Sequence, residues 1–164
     1  MGLQLPGELV SLLSMLGYDW PTSDEEKLFE LGQAWLGFSE QMANATQSAG
    51  GVAQEVWASN QGLAINAFRE WWTAQDSAPG VLDRGANGAA TVGIGLIVCA
   101  GVVLALKISV IVQLVILAVQ IAQAIATAVA TFGASLVEIP IFKIITSKIL
   151  DLLIDQAVSA VLGG

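Results

Sequence analysis

Three short segments hold the residue types that could carry out chemistry. The run Asp24-Glu25-Glu26 offers carboxylates for a divalent cation, but consecutive side chains at a helix start point in different directions and normally interact with the helix dipole. Gly93-Ile94-Gly95 lacks the third glycine of a dinucleotide-binding loop. Cys99 lies in an apolar run and is expected to pack as a small buried hydrophobic side chain. The sequence therefore predicts no catalytic residue, no cofactor-binding residue and no metal site.

The composition excludes most other enzyme chemistries. The 164 residues include no histidine, and this removes the imidazole on which Ser-His and Cys-His nucleophile pairs and many zinc sites depend. Six basic residues against fourteen acidic ones give a net charge of −8, which repels a nucleic acid backbone. We therefore expect a non-enzymatic protein that needs no cofactor and binds no nucleic acid.

Charge divides the chain into two unequal parts. Residues 1–78 contain ten acidic and two basic residues, which account for the whole net charge of −8. Residues 91–164 are almost neutral and strongly apolar, and a Pro/Gly-rich segment at 79–90 lies between the two parts. Because proline and glycine together interrupt helices, the sequence predicts a break at 79–90 that separates an acidic domain from a hydrophobic one.

The acidic part has the pattern of an α-helical hairpin. Thr22-x-x-Glu25 and Ser23-x-x-Glu26 both fit a capping box that starts a helix. A polar turn at 58–62 is followed by a second apolar helix pattern up to Gln75. In the first helix, large apolar side chains recur three and four residues apart, which predicts a seam that faces a partner helix: Leu28, Leu31, Trp35, Phe38 and Met42.

The neutral part predicts further hydrophobic helices that pack on the hairpin. Residues 108–134 are long and apolar enough to span a membrane, while residues 138–162 are amphipathic. Polar residues nevertheless fall on one face of the first of these helices, and they include Gln113, Gln120, Gln123, Thr127 and Thr131. This polar stripe has two interpretations. It is either the solvent-exposed outer face of a water-soluble helical bundle or the lumen side of a membrane hairpin. The three glutamines favour the bundle, because they are costly against lipid.

Several segments at the start of the chain carry a resemblance to a known family. Residues 4–10 (QLPGELV), 16–21 (LGYDWP) and 24–28 (DEEKL) resemble the opening of large actinobacterial polymorphic toxins related to a mycobacterial outer-membrane channel and necrotizing toxin. That opening domain is itself similar to the WXG (ESAT-type) helical hairpins exported by type VII secretion systems. The resemblance implies an elongated all-α hairpin or bundle of the WXG type.

The resemblance also implies which residues would be recognised. It places Trp57, Asn60 and Gly62 at the hairpin turn, and Phe68 with Trp71 on the second arm. Trp72-x-x-x-Asp76 imitates the export signal usually written Tyr-x-x-x-Asp/Glu, with an aromatic ring and an acid one helical turn apart. These seven residues are the candidates for export or partner recognition.

The function implied is that of a non-enzymatic amino-terminal export and targeting domain of a type VII secreted, toxin-like protein. Its expected partners are a small helical WXG-type protein or chaperone and the secretion machinery, and a homo-oligomer is also compatible. The first residues lack a secretory signal peptide, so we expect a secreted or cell-surface protein that uses a signal-peptide-independent route. The ending at Gly163-Gly164 without a toxin-like catalytic segment suggests the front part of a longer protein or a standalone adaptor.

Two other functions compete with export. Residues 86–162 could form a membrane-inserting hairpin that makes a pore or a toxin-translocation conduit, with the polar stripe lining water. Alternatively, the chain could be a helical, immunity-like binding protein. Dye leakage from liposomes would favour the first, and tight binding to a co-expressed neighbour without export would favour the second.

Overall fold

The computed structural model of the protein describes residues 2–163, and every regular element in that range is a helix. The predicted all-α fold is therefore confirmed. The helices are α1 (Gly7–Met15), α2 (Glu25–Ser59), α3 (Leu63–Thr73), α4 (Ala78–Thr127) and α5 (Glu138–Leu162), with a short 3₁₀ turn, Ala134–Val137, directly before α5.

The predicted break at 79–90 differs from the structure, because these residues are helical and belong to α4. The Ser77 hydroxyl accepts a hydrogen bond from the Gly80 amide at 3.3 Å, the position of an N-cap. Pro79 lies in the first turn, where a missing N–H costs nothing. The irregular piece is only the link at residues 74–77. The proline and glycine thus begin a helix here instead of separating two domains.

The chain forms two compact units whose limits differ from the predicted ranges 1–78 and 91–164. Residues 28–97 make up one unit, and residues 2–27 together with 98–163 make up the other. Both long helices, α2 and α4, contribute to both units. The charge pattern follows the order of residues along the chain, whereas packing joins segments that are distant in sequence.

In the unit of residues 28–97, α2 and α4 run antiparallel and touch through backbone. A Cβ atom on Gly93 would lie 2.8 Å from the Gly32 carbonyl oxygen, and one on Gly32 would lie 2.8 Å from that of Gly93. Further along, the Ser39 hydroxyl donates a hydrogen bond to the Ala86 carbonyl at 2.7 Å. Only glycine at both positions permits so close an approach.

In the other unit, α1 packs on the later part of α4 and on α5. The apolar core there consists of Leu9 and Leu13 from α1, Val110 and Leu114 from α4, and Leu150 from α5. The start of α2 is capped by the Asp24 carboxylate, which accepts a hydrogen bond from the Lys27 amide at 3.2 Å. This differs from the predicted caps Thr22 and Ser23, since α2 begins only at Glu25.

The close approach of α2 and α4 predicts opposite effects for two neighbouring glycines. Gly93→Ala should lower the free energy of unfolding by about 1–3 kcal/mol, because backbone and Leu36 already occupy the space of the new methyl group. Gly95→Ala is the matched control, since no atom lies within 4 Å of its Cβ position. It should raise stability by about 0.5–1 kcal/mol through better helix propensity. Urea unfolding followed by circular dichroism measures both, and equal stabilisation by the two variants would contradict the contact.

Candidate functional site

The turn between α2 and α3 carries a cluster of four aromatic rings, which we call the aromatic tip (Trp57, Phe68, Trp71 and Trp72). The Phe68 ring lies at its centre, 5.7 Å from the Trp57 ring, 6.4 Å from the Trp71 ring and 5.7 Å from the Trp72 ring, measured between centroids. The structure thus brings together four of the seven predicted recognition residues. Trp71 remains 55% exposed, so part of this large apolar surface faces solvent.

The turn that forms the tip depends on Gly62 and Asn60. Gly62 has φ +127°, a conformation that side-chain-bearing residues rarely adopt. The Asn60 side-chain amide donates a hydrogen bond to the Val56 carbonyl at 2.8 Å and so satisfies the last turn of α2. Leu63, the first residue of α3, is 88% exposed. Gly62 and Asn60 therefore shape the turn, while Leu63 and Trp71 present apolar surface.

The predicted pair Trp72 and Asp76 does not share one helix face. The helix α3 ends at Thr73, and Asp76 lies in the link that follows. The backbone of Ala74 is extended, with φ −65° and ψ 146°, and the Ser77 hydroxyl donates to the Trp72 carbonyl at 2.9 Å. Trp72 is half-buried in the aromatic tip, whereas Asp76 is exposed.

A second apolar surface follows α2, and we call it the α2 groove (Leu31, Ala34, Trp35 and Phe38). It is an open depression of about 230 Å³ lined by these four residues. The Trp35 and Phe38 rings meet edge to face, 6.1 Å apart. In a protein, an exposed patch of aromatic and aliphatic side chains is a typical docking surface.

The predicted helix–helix seam is therefore rotated around α2. Leu31, Trp35 and Phe38 were expected to face the partner helix, but all three are exposed. The face towards α4 instead carries small and flexible side chains, with Gly32 and Ser39 against α4 and Met42 against Gly85. Backbone contact at Gly32 leaves no room for large rings, so they lie beside the contact. Leu28 is half-buried.

Two of the five residues of the predicted polar stripe donate hydrogen bonds to the backbone of their own segment. The Thr127 hydroxyl donates to the Gln123 carbonyl at 2.9 Å, and the Thr131 hydroxyl donates to the Thr127 carbonyl at 3.0 Å. Gln113 and Gln120 are half-buried, and Gln123 is exposed. The helix α4 ends at Thr127, so Thr131 lies in the turn beyond it, which closes on Gly133 with φ +87°. The stripe therefore does not extend along one continuous helix.

Among the described residues, one segment is long and apolar enough to cross a membrane by length and composition; it is Leu63–Thr127, which comprises α3, the link at 74–77 and α4. The most apolar 18 consecutive residues of this segment have a mean hydropathy of 2.7, and only 22% of these residues are buried. Within the unit formed by residues 2–27 and 98–163, the exposed side chains of this segment include Ile108, Val112, Val119 and Ile125. This exposed aliphatic surface needs an explanation, because soluble proteins rarely expose large apolar patches.

Within that unit, a buried ion pair joins α2 to α4. The Lys107 ammonium lies 2.8 Å from a Glu25 carboxylate oxygen and donates to the Ser23 carbonyl at 2.6 Å. The Leu3 amide also donates to the Glu25 carboxylate. Lys107 is only 1% exposed. Sequence reasoning did not identify this pair, although Lys107 is the only charged residue between Gly85 and Val137 and so required a partner.

The ion pair sets the charge state of Glu25. The hydrogen bond from Lys107, followed by that from the Leu3 amide, lowers the pKa of Glu25 from 4.5 to about 2. Nearby, the hydrogen bond from the Lys27 amide lowers the pKa of Asp24. No group of three or more His, Cys, Asp or Glu side chains in residues 2–163 could hold a metal ion. The acidic run Asp24-Glu25-Glu26 thus contributes a cap and a salt bridge.

The lowered pKa of Glu25 predicts an acid-sensitive contribution to stability. A carboxyl group whose pKa falls on folding stabilises the folded state fully above its unfolded pKa, here 4.5, and loses that contribution as the pH falls towards 2. Glu25→Gln should lower the free energy of unfolding at neutral pH and flatten its pH dependence in this window. Urea unfolding at a series of pH values measures this, with Glu30→Gln on the exposed surface of α2 as control. Parallel profiles for the wild type and Glu25→Gln would contradict the assignment.

Comparison with known proteins agrees with this architecture. No curated protein and no solved structure matches the chain. The family profile described as "WXG100 like domain" matches residues 4–147, which include α1 to α4 and the start of α5. Because the match covers most of the chain, the protein belongs to the WXG100-like family.

Proposed function

We propose that this protein is a non-enzymatic, amino-terminal export and targeting domain of a type VII secreted, toxin-like protein. Membership of the WXG100-like family supports a role in type VII secretion. The toxin-like part of the proposal rests on the resemblance of residues 4–28 to actinobacterial polymorphic toxins. A protein exported in this way acts outside the cytoplasm or at the cell surface.

The observation that carries the proposal is the aromatic tip. Three tryptophans and a phenylalanine gather at one end of a helical hairpin, and Trp71 and Leu63 stay exposed to solvent. Tryptophan supplies large contact area at little cost in side-chain entropy, and it is enriched among residues that dominate binding energy. The tip therefore has the composition of a recognition surface for a component of the secretion machinery.

The α2 groove supports a second contact, with a small helical partner of the WXG type. Its Trp35 and Phe38 rings are exposed in the chain as it stands, in an arrangement that the apolar face of an amphipathic helix can cover. Pairing there would bury the rings without disturbing the backbone contact at Gly32 and Gly93. In this proposal the partner protects the groove while the aromatic tip remains available.

Export of the chain fused to a reporter, in an actinobacterial host with and without a working type VII secretion ATPase, tests the targeting role. Trp71→Ala should reduce export at least several-fold while the chain stays folded, because the Trp71 side chain is 55% exposed and its ring contacts lie within the aromatic tip. Phe132→Ala is the matched control, since that aromatic ring is fully exposed in the turn after α4. Secretion that continues without the ATPase, or equal export of both variants, would contradict the proposal.

Trp57→Ala and Gly62→Leu are less suitable variants for this test. Trp57 packs against Phe68, and Gly62 has a backbone conformation that a leucine would strain. Both changes would disturb the turn itself, so a loss of export could reflect misfolding.

Pairing through the α2 groove predicts a position-specific loss of complex. Phe38→Asp should abolish co-purification with a co-expressed WXG-type partner, because it places a charge in the apolar groove. Phe29→Asp is the control, since Phe29 is similarly exposed on α2 (45% against 50%) but does not line the groove. A complex that survives Phe38→Asp, or is lost equally with Phe29→Asp, would exclude the groove as the interface.

A second candidate function is insertion of the α4–α5 region into a membrane, as a pore or conduit. The specific observation in its favour is the apolar stretch with mean hydropathy 2.7, most of which is not buried. Two open grooves of about 210 and 280 Å³ between α4 and α5, both lined by Val102 and Leu106, add to this uncovered surface.

Addition of the purified chain to dye-loaded vesicles tests the second candidate. Leakage of the dye is expected if α4 and α5 form a pore, because a water-filled path through the bilayer lets the dye escape. Retention of the dye by vesicles to which the chain has bound would exclude a pore.

A further inference from the structure

The amino-terminal residues 2–24, which we call the strap, cover part of the long apolar helix α4. Leu9 and Leu13 of α1 lie on the strap and pack on Val110, Leu114 and Leu150. Leu114 and Leu150 are among the most completely buried side chains in the described part of the chain. The best-formed apolar core of this unit therefore exists only while the strap is in place.

Two groups of polar contacts fasten the carboxyl-terminal part of the strap. In the first, the Lys107 ammonium is held by the Ser23 carbonyl and by Glu25, a residue that follows the strap. In the second, the Tyr18 hydroxyl donates to the Ser147 carbonyl at 3.0 Å and to the Asp151 carboxylate at 2.5 Å. The hydrogen bond to Asp151 raises the pKa of the Tyr18 phenol. The strap is thus tied separately to α4 and to α5.

Lys107 also occupies a special position in the apolar sequence. Residues 108–127 follow it without a charged side chain and end where α4 ends. An uncharged, mainly apolar helix of roughly 20 residues matches the thickness of a bilayer core, and a lysine at its end can reach the headgroup region. With the strap in place, this lysine is instead buried against Glu25 and lies 5.8 Å from the centre of the Trp20 ring.

We propose that the strap is a releasable cover that keeps residues 108–127 out of the membrane, and that the Glu25–Lys107 pair is its clasp. Release of the strap uncovers Leu114 and Leu150 and frees Lys107 to mark the water-facing end of a membrane-spanning helix. This proposal rests on the second candidate function, membrane insertion, and adds the device that controls it. The clasp is suited to this task because removing one partner of a buried ion pair leaves an uncompensated buried charge, which strongly favours release of the strap.

The experiment compares the full chain with two strap variants and one control. Glu25→Gln removes the charge of the clasp and leaves Lys107 unchanged, while Tyr18→Phe removes only the second fastening and keeps the ring in the core. Glu8→Gln makes the same change of charge at an exposed position of the strap itself. Circular dichroism establishes that each variant is folded, and Tyr18→Phe keeps the test valid if Glu25→Gln does not fold.

Two measurements are made on each protein. Hydrogen exchange of the α1 amides, residues 7–15, reports opening of the strap, and flotation with phosphatidylcholine vesicles reports membrane binding. This lipid is chosen because its zwitterionic surface does not repel an acidic chain. Glu25→Gln should exchange on the order of a hundredfold faster in α1 and bind vesicles several-fold more than the wild type. Tyr18→Phe should change both in the same direction by less. Glu8→Gln removes only a surface charge from the first turn of α1, so it should leave vesicle binding unchanged and speed α1 exchange by only a small factor.

The two measurements together distinguish which part of the proposal is wrong. Vesicle binding by the wild type that equals that of Glu25→Gln would overturn the strap as a cover and leave membrane insertion standing. Faster α1 exchange without vesicle binding by either variant would overturn membrane insertion, and with it this proposal. Unchanged α1 exchange in folded Glu25→Gln would show that the ion pair is not the clasp.

Discussion

The backbone contact between α2 and α4 at Gly32 and Gly93 decides which side chains of the hairpin remain available to other molecules. Two helices that touch through their backbones have no space for large rings at the contact. Trp35 and Phe38 are therefore placed beside it and form the open α2 groove. A leucine or phenylalanine in place of either glycine would separate the helices. The exposure of the α2 groove is in this sense a consequence of two residues that have no side chain.

A second constraint acts in the other unit, where a single positive charge interrupts a long uncharged helix. Burying Lys107 without a partner would cost far more than this small protein's stability allows, so a carboxylate must be brought to it. Glu25 meets that requirement and also begins α2, so the amino-terminal segment is fixed at the same point. The apolar surface of α4 can then remain partly exposed while its charge is satisfied.

Periodicity predicted the helices well because helix formation depends on local spacing, and the turn at residues 58–62 was located by its polar residues. The side of α2 that faces α4 was predicted wrongly, because large side chains at heptad spacing normally face a partner helix. Here the contact is made instead by Gly32 and Gly93, which lie 61 positions apart along the chain. The break at 79–90 was overestimated because Pro79 is compatible with a helix start when Ser77 caps it. The Glu25–Lys107 pair joins residues that are remote in sequence. Its one sign in the sequence is that Lys107 is the only charged residue between Gly85 and Val137.

The two units thus expose surfaces of different chemistry. The hairpin of residues 28–97 offers aromatic rings in small, shaped clusters, which suit a specific protein partner because rings stack in defined geometries. The unit containing residues 98–163 offers mainly branched aliphatic side chains over a long, even helical surface, which lacks such geometric features and suits a fluid apolar environment. A chain recognised through its hairpin and later committed to a membrane would need these surfaces to be exposed at different times. The strap packs on the residues of α4 and α5 in its own unit, so its release changes the exposure of the second surface.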